Sequence, residues 1–189
     1  MRVISGKLKG RKLFTLKGMD LRPTSDRVKE AIFDILQGCL EGRKVLDLFA
    51  GTGALAIEAL SRGAERAVLV EESSRARAIL HQNLEACRLR EQAEVLSLEV
   101  QAGIRILERR GETFEVIFLD PPYGKGLARK ALQALSRGSI LAPEAIIVAE
   151  HSPDEELDRT VSLERIDQRK YGSTRVSFFR PTEKRPNLG

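Results

Sequence analysis

From Lys44 onward the chain alternates short, wholly apolar runs with amphipathic stretches, and no other feature limits its possible folds as strongly. The apolar runs are KVLDLF (44–49), RAVLVE (66–71), AEVLSL (93–98), FEVIFLD (114–120) and AIIVAE (145–150). Helical periodicity fills 53–62, 73–88, 100–109 and 126–137 between them. Short runs of this kind are strands buried on both faces, and strands separated by helices make a parallel sheet. The tail differs. LERIDQRKYGSTRVSFFR alternates in character around Gly172–Ser173 and predicts a hairpin that adds an antiparallel edge. Within it, Phe178 and Phe179 read as one core and one edge residue. The expected fold class is therefore α/β, with a mostly parallel sheet and an antiparallel C-terminal edge.

Ahead of this body lies a different segment. Residues 2–16 predict a small β-hairpin, with strands near Arg2–Ile4 and Arg11–Leu16 around Gly6–Gly10. LRPTSDRVKEAIFDILQG follows. Ser25 or Asp26 can cap a helix whose apolar face is Val28, Ala31, Ile32, Ile35 and Leu36, and Gly38 would end it. The chain thus divides into an N-terminal hairpin and helix extension (1–40), a main domain (41–182) and a loose tail (183–189).

The 189 residues suffice for one core without staples, and 42% hydrophobic with 31% charged excludes a mostly disordered chain. No apolar run reaches the roughly 18 residues of a membrane span. MRVISGKLKGRKLF has no apolar centre, so it does not read as a secretory signal. Cys39 and Cys87, far apart on segments that read as helical, suit a reducing, cytoplasmic setting. His81 and His151 are not in metal-ligand spacing, so no metal site is expected. His81 reads as a surface residue, and Glu72 as pointing away from the sheet edge.

Charge is unevenly placed. Residues 1–29 carry nine basic against two acidic side chains, a net +7; 30–164 carry −7, and 165–189 carry +5. A folded basic patch on an acidic body favours a polyanionic partner.

In an open α/β sheet ligands sit at the carboxyl ends of strands. After the first strand comes DLFAGTGALAIEAL, whose Gly51 and Gly53 permit a tight turn and close approach to a ligand. Glu71, 20 residues beyond Gly51, ends the second strand and can accept both hydroxyls of an adenosine ribose. The loop lacks the Lys-Ser/Thr of a phosphate-cradling P-loop, so nucleotide hydrolysis is not expected. This element indicates an adenosine-containing cofactor without saying which.

After the fourth strand comes Asp120-Pro121-Pro122-Tyr123. Two prolines remove two N–H donors and leave carbonyl acceptors, and Asp120 adds a carboxylate. A site of acceptors alone suits an exocyclic amino group with its two N–H donors. Tyr123 offers a ring for a planar base extruded from its stack.

These segments carry a resemblance. VLDLFAGTGALAIEAL, Glu71 and FLDPPYG look like the class I S-adenosylmethionine-dependent methyltransferases that modify exocyclic amines of nucleic-acid bases. RVISGKLKGRKL, LRPTSDRVKEAIFDIL, DLFAGTGALAIEALSRGA, DPPY and the late KYGST, in that order, resemble more narrowly the RsmD family. The resemblance implies a Rossmann-like class I methyltransferase sheet and S-adenosyl-L-methionine as cofactor. The implied reaction is methylation of guanine N2 in 16S rRNA. Its partner would be that RNA or the assembling small ribosomal subunit, and the enzyme a monomer. The implied cofactor site is Asp47 for the methionine end, the loop Phe49, Ala50, Gly51, Thr52 and Gly53, Glu71 for the ribose, and Thr24 nearby. Glu99 and Val100 stand where the family usually has an Asp facing the adenine edge. Asp120, Pro121, Pro122 and Tyr123 would form the catalytic site. Lys9, Arg11, Lys12, Arg22, Arg27, Lys170 and Arg175 are the expected RNA contacts. Two rivals share the glycine loop: an NAD-dependent oxidoreductase and a non-catalytic RNA-binding module. Neither accounts for DPPY. An amine methyltransferase acting on another base also remains open.

Overall fold

The computed structural model describes residues 1–15, 26–157 and 162–182. Seven strands follow the apolar runs: β1 (Lys44–Asp47), β2 (Arg66–Val70), β3 (Ala93–Leu96), β4 (Phe114–Leu119), β5 (Leu141–His151), β6 (Leu163–Tyr171) and β7 (Thr174–Pro181). They form one sheet in the order β3-β2-β1-β4-β5-β7-β6. The first five are parallel, and β7 runs antiparallel to both β5 and β6. Among the described residues five α-helices accompany the sheet: α1 (Asp26–Ile35), α2 (Ala54–Ser61), α3 (Ser74–Ala86), α4 (Val100–Arg109) and α5 (Leu127–Arg137).

The period-2 alternation of strands splits the core in two. Val45, Leu69, Phe118, Val148 and Phe178 face α1, α2 and α3 on one side. Leu46, Val70, Ile117, Ile147 and Phe179 face α4 and α5 on the other. Phe178 and Phe179 are therefore both core residues, each 1% exposed, because β7 lies inside the sheet rather than at its rim. Each such ring contributes about 1.5–3 kcal/mol by leaving water.

The N-terminal segment is a hairpin in path but hardly in pairing. Val3, Gly10 and Leu13 donate backbone hydrogen bonds across it, yet only Arg2 and Lys12 form a β-bridge. The reason is that its polar groups bond to α2 instead. Ile4 N–H and Ser5 N–H donate to the Glu58 carboxylate at 2.7 and 3.0 Å. Leu8 N–H donates to Ser61 Oγ at 2.9 Å, and that hydroxyl donates to Ser5 O at 2.6 Å. Gly6 (φ +80°) lies so close that a Cβ there would stand 1.9 Å from the Ser61 carbonyl oxygen, so only glycine fits.

Under this segment sits a buried charge cluster. Lys29 and Glu58 are both 0% exposed and 3.6 Å apart. Lys29 also donates to Arg2 O at 2.5 Å. Burial pulls the Lys29 ammonium pKa below its usual value, against the pull of Glu58 and Asp26. Arg62 donates to Glu58 at 2.9 Å and covers the Phe33 ring at 4.8 Å. The inner face of α1 is thus Val28, Lys29, Ile32 and Phe33, while Ala31 and Ile35 are half-buried. A lysine lies inward because its counter-charge is already there. Cys39 lies beyond the end of α1, and Cys87 caps α3 and is buried. His81 and Glu72 are exposed.

Candidate active site

Because β1 pairs in parallel with both β2 and β4, the residues just past their carboxyl ends converge on one edge. Asp47, the 49–53 loop, Glu71 and Asp120 all stand there.

The loop is held by main chain and by one carboxylate. Leu48 N–H donates to Phe118 O and Ala50 N–H to Val70 O, each at 3.1 Å, tying the loop to both neighbouring strands. Gly51 (φ +52°) and Gly53 (φ +82°) make the left-handed turns that lead into α2. Glu71 accepts from Gly51 N–H at 2.8 Å and from Ser73 N–H at 2.7 Å, one bond to each carboxylate oxygen. Each oxygen keeps a further lone pair, and the side chain is half-buried. Glu71 is therefore pre-aimed and still able to accept.

Asp47 is 1% exposed. Burial raises its carboxyl pKa to about 7; the Phe49 amide at 3.3 Å opposes this, and the nearby Glu71 charge adds to it. Val100 opens α4. Glu99 precedes it with an exposed carboxylate 3.7 Å from Arg105, so that side chain is paired with its own helix. The set fits an adenosyl amino-acid cofactor: an oriented acceptor for a diol, a glycine loop, and a buried acid able to meet a cation.

On the neighbouring strand end, Asp120 is half-buried, Pro121 buried and Pro122 exposed. Tyr123 keeps 38% of its surface in solvent, yet its hydroxyl is fixed. It donates to Glu150 Oε1 at 2.8 Å and lies 2.9 Å from Thr174 Oγ1. Burial, with Glu150 and Asp120 adding, pushes the phenol pKa above its ordinary value, while the Thr174 hydrogen bond opposes this. Glu150 is 7% exposed near the end of β5, and Thr174 begins β7. This explains why the KYGST segment matters: its threonine holds the tyrosine of DPPY.

His151 is a framework residue. Its ring nitrogens meet Ser152 O at 3.0 Å and Ser177 Oγ at 2.8 Å, and burial pulls its pKa down.

The basic residues fall into two groups. Lys170 and Arg175 pair across the β6–β7 hairpin tip, beside the Tyr171–Thr174 pair, and so flank the Tyr123 edge. Lys9, Arg11 and Lys12 are exposed on the N-terminal segment. Its turn packs at the far end of α2, where Lys7 and Leu8 share a hollow with Gly42, Glu65 and Gln92 near the amino ends of the strands. Arg27 is exposed on α1. Arg22 and Thr24 lie outside the described residues. Among the described residues no group of three or more His, Cys, Asp or Glu could hold a metal ion, and no helix is long and apolar enough to cross a membrane.

The family model described as Conserved hypothetical protein 95, that of the RsmD family, matches residues 1–180. The chain belongs to that family. It is 38% identical over 181 residues to YlbH of Bacillus subtilis (strain 168), covering 95% of this chain and 98% of the relative. It is 38% identical over 160 residues to the Ribosomal RNA small subunit methyltransferase D of Haemophilus influenzae, covering 83% and 81%. The solved structure of yhhF from Escherichia coli superposes with a TM-score of 0.84 at 28% identity, over 96% of this chain and 97% of that one. The RsmD assignment, the class I sheet and its antiparallel edge all stand as expected from the motifs.

Sequence reasoning missed Glu58, Asn83, Glu150 and Thr174. Glu150 closes an apolar run just as Glu71 does, and Thr174 sits in the KYGST segment; those signals were available. Nothing local marks Glu58 or Asn83.

Proposed function

We propose that this chain transfers a methyl group from S-adenosylmethionine to the exocyclic N2 of a guanine in 16S rRNA. The observation that carries the reading is the placement of Asp120–Tyr123 beside the Glu71-braced glycine loop, with the tyrosine pinned by Glu150 and Thr174. The cofactor, when bound, supplies an electrophilic methyl group on a positive sulfur. The chain's own residues position and orient. Glu71 receives the ribose hydroxyls, and Asp47 faces the methionine ammonium. The loop Phe49–Gly53 lies against the cofactor, with Glu99 and Val100 at its periphery. Asp120 and the proline carbonyls accept the two N–H bonds of the target amine and so turn its lone pair toward the methyl. Tyr123 stacks on the base. The extra proton on the methylated nitrogen leaves readily, and the Asp120 carboxylate is in place to hold it.

Residues 1–40 serve as the docking extension of a catalytic body spanning 41–182, in a cytoplasmic monomer without a metal. Lys170 and Arg175 contact phosphates near the target base, and Lys9, Arg11, Lys12 and Arg27 contact phosphates further along. Such contacts position RNA without reading sequence. Changing Lys9, Arg11, Lys12 and Arg27 to Ala is expected to weaken all RNAs about equally. The slope of log affinity against log salt should fall by roughly 0.7–0.9 for each phosphate no longer neutralised. An unchanged slope in a variant that still binds S-adenosylhomocysteine would place the RNA elsewhere.

The deciding experiment is mass spectrometry of 16S rRNA nucleosides after incubation with S-adenosylmethionine. One new N2-methylguanosine is expected; a methyl group on adenine or cytosine, or none, overturns the assignment. Stabilisation by NAD in place of S-adenosylhomocysteine would favour the oxidoreductase.

Asp47 gives this reading a pH signature. Its raised pKa means that the free chain holds a neutral acid below about pH 7. Meeting a cation then requires proton release. S-adenosylhomocysteine affinity should therefore rise with pH up to about 7 and level off above it, approaching tenfold per unit at the acid end. Asp47→Asn should bind more weakly above pH 7 and lose this dependence in calorimetry. A dependence that survives the substitution assigns the proton to another group.

A further inference from the structure

Asn83 lies on α3 and is fully buried, and its amide is spent on main chain from two separate segments. Its Oδ1 accepts from Phe14 N–H at 2.7 Å, and its Nδ2 donates to Phe14 O at 3.1 Å. The same Nδ2 donates to Thr52 O at 2.9 Å. Phe14 belongs to the basic N-terminal segment, and Thr52 is the apex of the glycine loop. On the other side of that apex Glu71 holds Gly51 N–H. One turn back on α3, Leu80 lies 3.4 Å from where a Cβ on Gly53 would stand. The loop cannot shift at Thr52 without disturbing the group that pins Phe14.

A buried asparagine with all its bonds made can be framework alone. What sets this one apart is that its two partners are the segments that meet different ligands. We propose that Asn83 is a positioning residue that couples RNA docking on the N-terminal segment to cofactor occupancy of the glycine loop; this rests on the methyltransferase reading above. Ordering either segment orders the amide they share, so the second ligand meets a segment already fixed. Linkage makes the effect reciprocal.

The test measures anisotropy of a labelled 16S rRNA transcript, with and without S-adenosylhomocysteine. For the wild-type chain, the cofactor product is expected to tighten RNA binding by about fivefold or more. RNA should tighten S-adenosylhomocysteine by the same factor. Asn83→Asp keeps the shape and the acceptor for Phe14 N–H and loses both donors. In that variant each ligand should still bind alone and the coupling factor should fall to one. A variant that retains the coupling overturns the proposal.

Amide hydrogen exchange on the wild-type chain gives a readout that needs no variant. S-adenosylhomocysteine should slow exchange at the Phe14 amide, held by Asn83, and leave the Leu8 amide, held by Ser61, unchanged. Equal effects at both amides, or none at Phe14, overturn the coupling. Independent binding of the two ligands overturns this inference only. Failure of S-adenosylhomocysteine to bind the wild-type chain overturns the methyltransferase reading with it.

Discussion

Asp120→Asn is expected to lower the single-turnover rate of methyl transfer by about 10²–10³-fold, the usual loss when one oriented polar group is removed from a transition state. The substitution keeps the shape of the strand exit. It converts one acceptor oxygen into an NH₂ donor that faces the target amine, so donor meets donor. S-adenosylhomocysteine affinity, read by calorimetry, should hardly change, because the groups assigned to the cofactor are Asp47, the loop and Glu71. Tyr123→Phe should be milder, since the ring remains and only its tie to Glu150 and Thr174 is removed. If Asp120→Asn transfers methyl at the wild-type rate, the amine is held by something other than this carboxylate.

Glu58→Ala is expected to cost about 3–5 kcal/mol in urea unfolding, the range for removing one partner of a buried ion pair. Four groups lose a carboxylate partner at once: Lys29, Arg62 and the amides of Ile4 and Ser5. Lys29, 0% exposed, would then keep Arg2 O and Asp26, 4.0 Å away, as partners for its buried charge. Glu58→Gln keeps one oxygen for an amide and should lose less, about 1–3 kcal/mol. A loss below about 1 kcal/mol for the alanine variant would show that the N-terminal segment is held mainly by Val3 and Leu13 in the core.

The parallel sheet was readable because its strands are apolar on both faces, and each predicted start agrees with the structure except one. β5 begins at Leu141, ahead of the predicted Ala145. The intervening Pro143 argues against strand, and the sheet admits it through a register shift between Phe114–Leu141 and Val116–Ile146. The positions of Gly51, Gly53, Glu71 and Asp120 were equally readable, since Glu71 and Asp120 follow directly on strands and the two glycines lie in the loop after β1.

The polar interior was not readable. Amphipathic reasoning turns Lys29, Glu58 and Asn83 outward, and their partners lie far away in the chain. Only the folded structure shows that Glu58 serves Ile4 and Ser5, or that Asn83 serves Phe14. The Phe178–Phe179 misreading has a related cause: sequence order makes β7 the last strand, while space makes it the second from the rim.

The side-chain hydrogen bonds that tie the N-terminal segment to α2 and α3 span separations of 53 to 69 residues. During synthesis that segment leaves the ribosome before α2 and α3, so the amides of Ile4, Ser5 and Leu8 have no acceptor until α2 has emerged and Phe14 has no anchor until Asn83 follows. Its nine cations in the first 29 residues would meanwhile sit unpaired beside the ribosome's own RNA. A nascent chain should therefore show salt-dependent retention at the ribosome surface that ends once α3 has emerged, and stalled chains with Asn83 inside or clear of the exit tunnel would bracket the release.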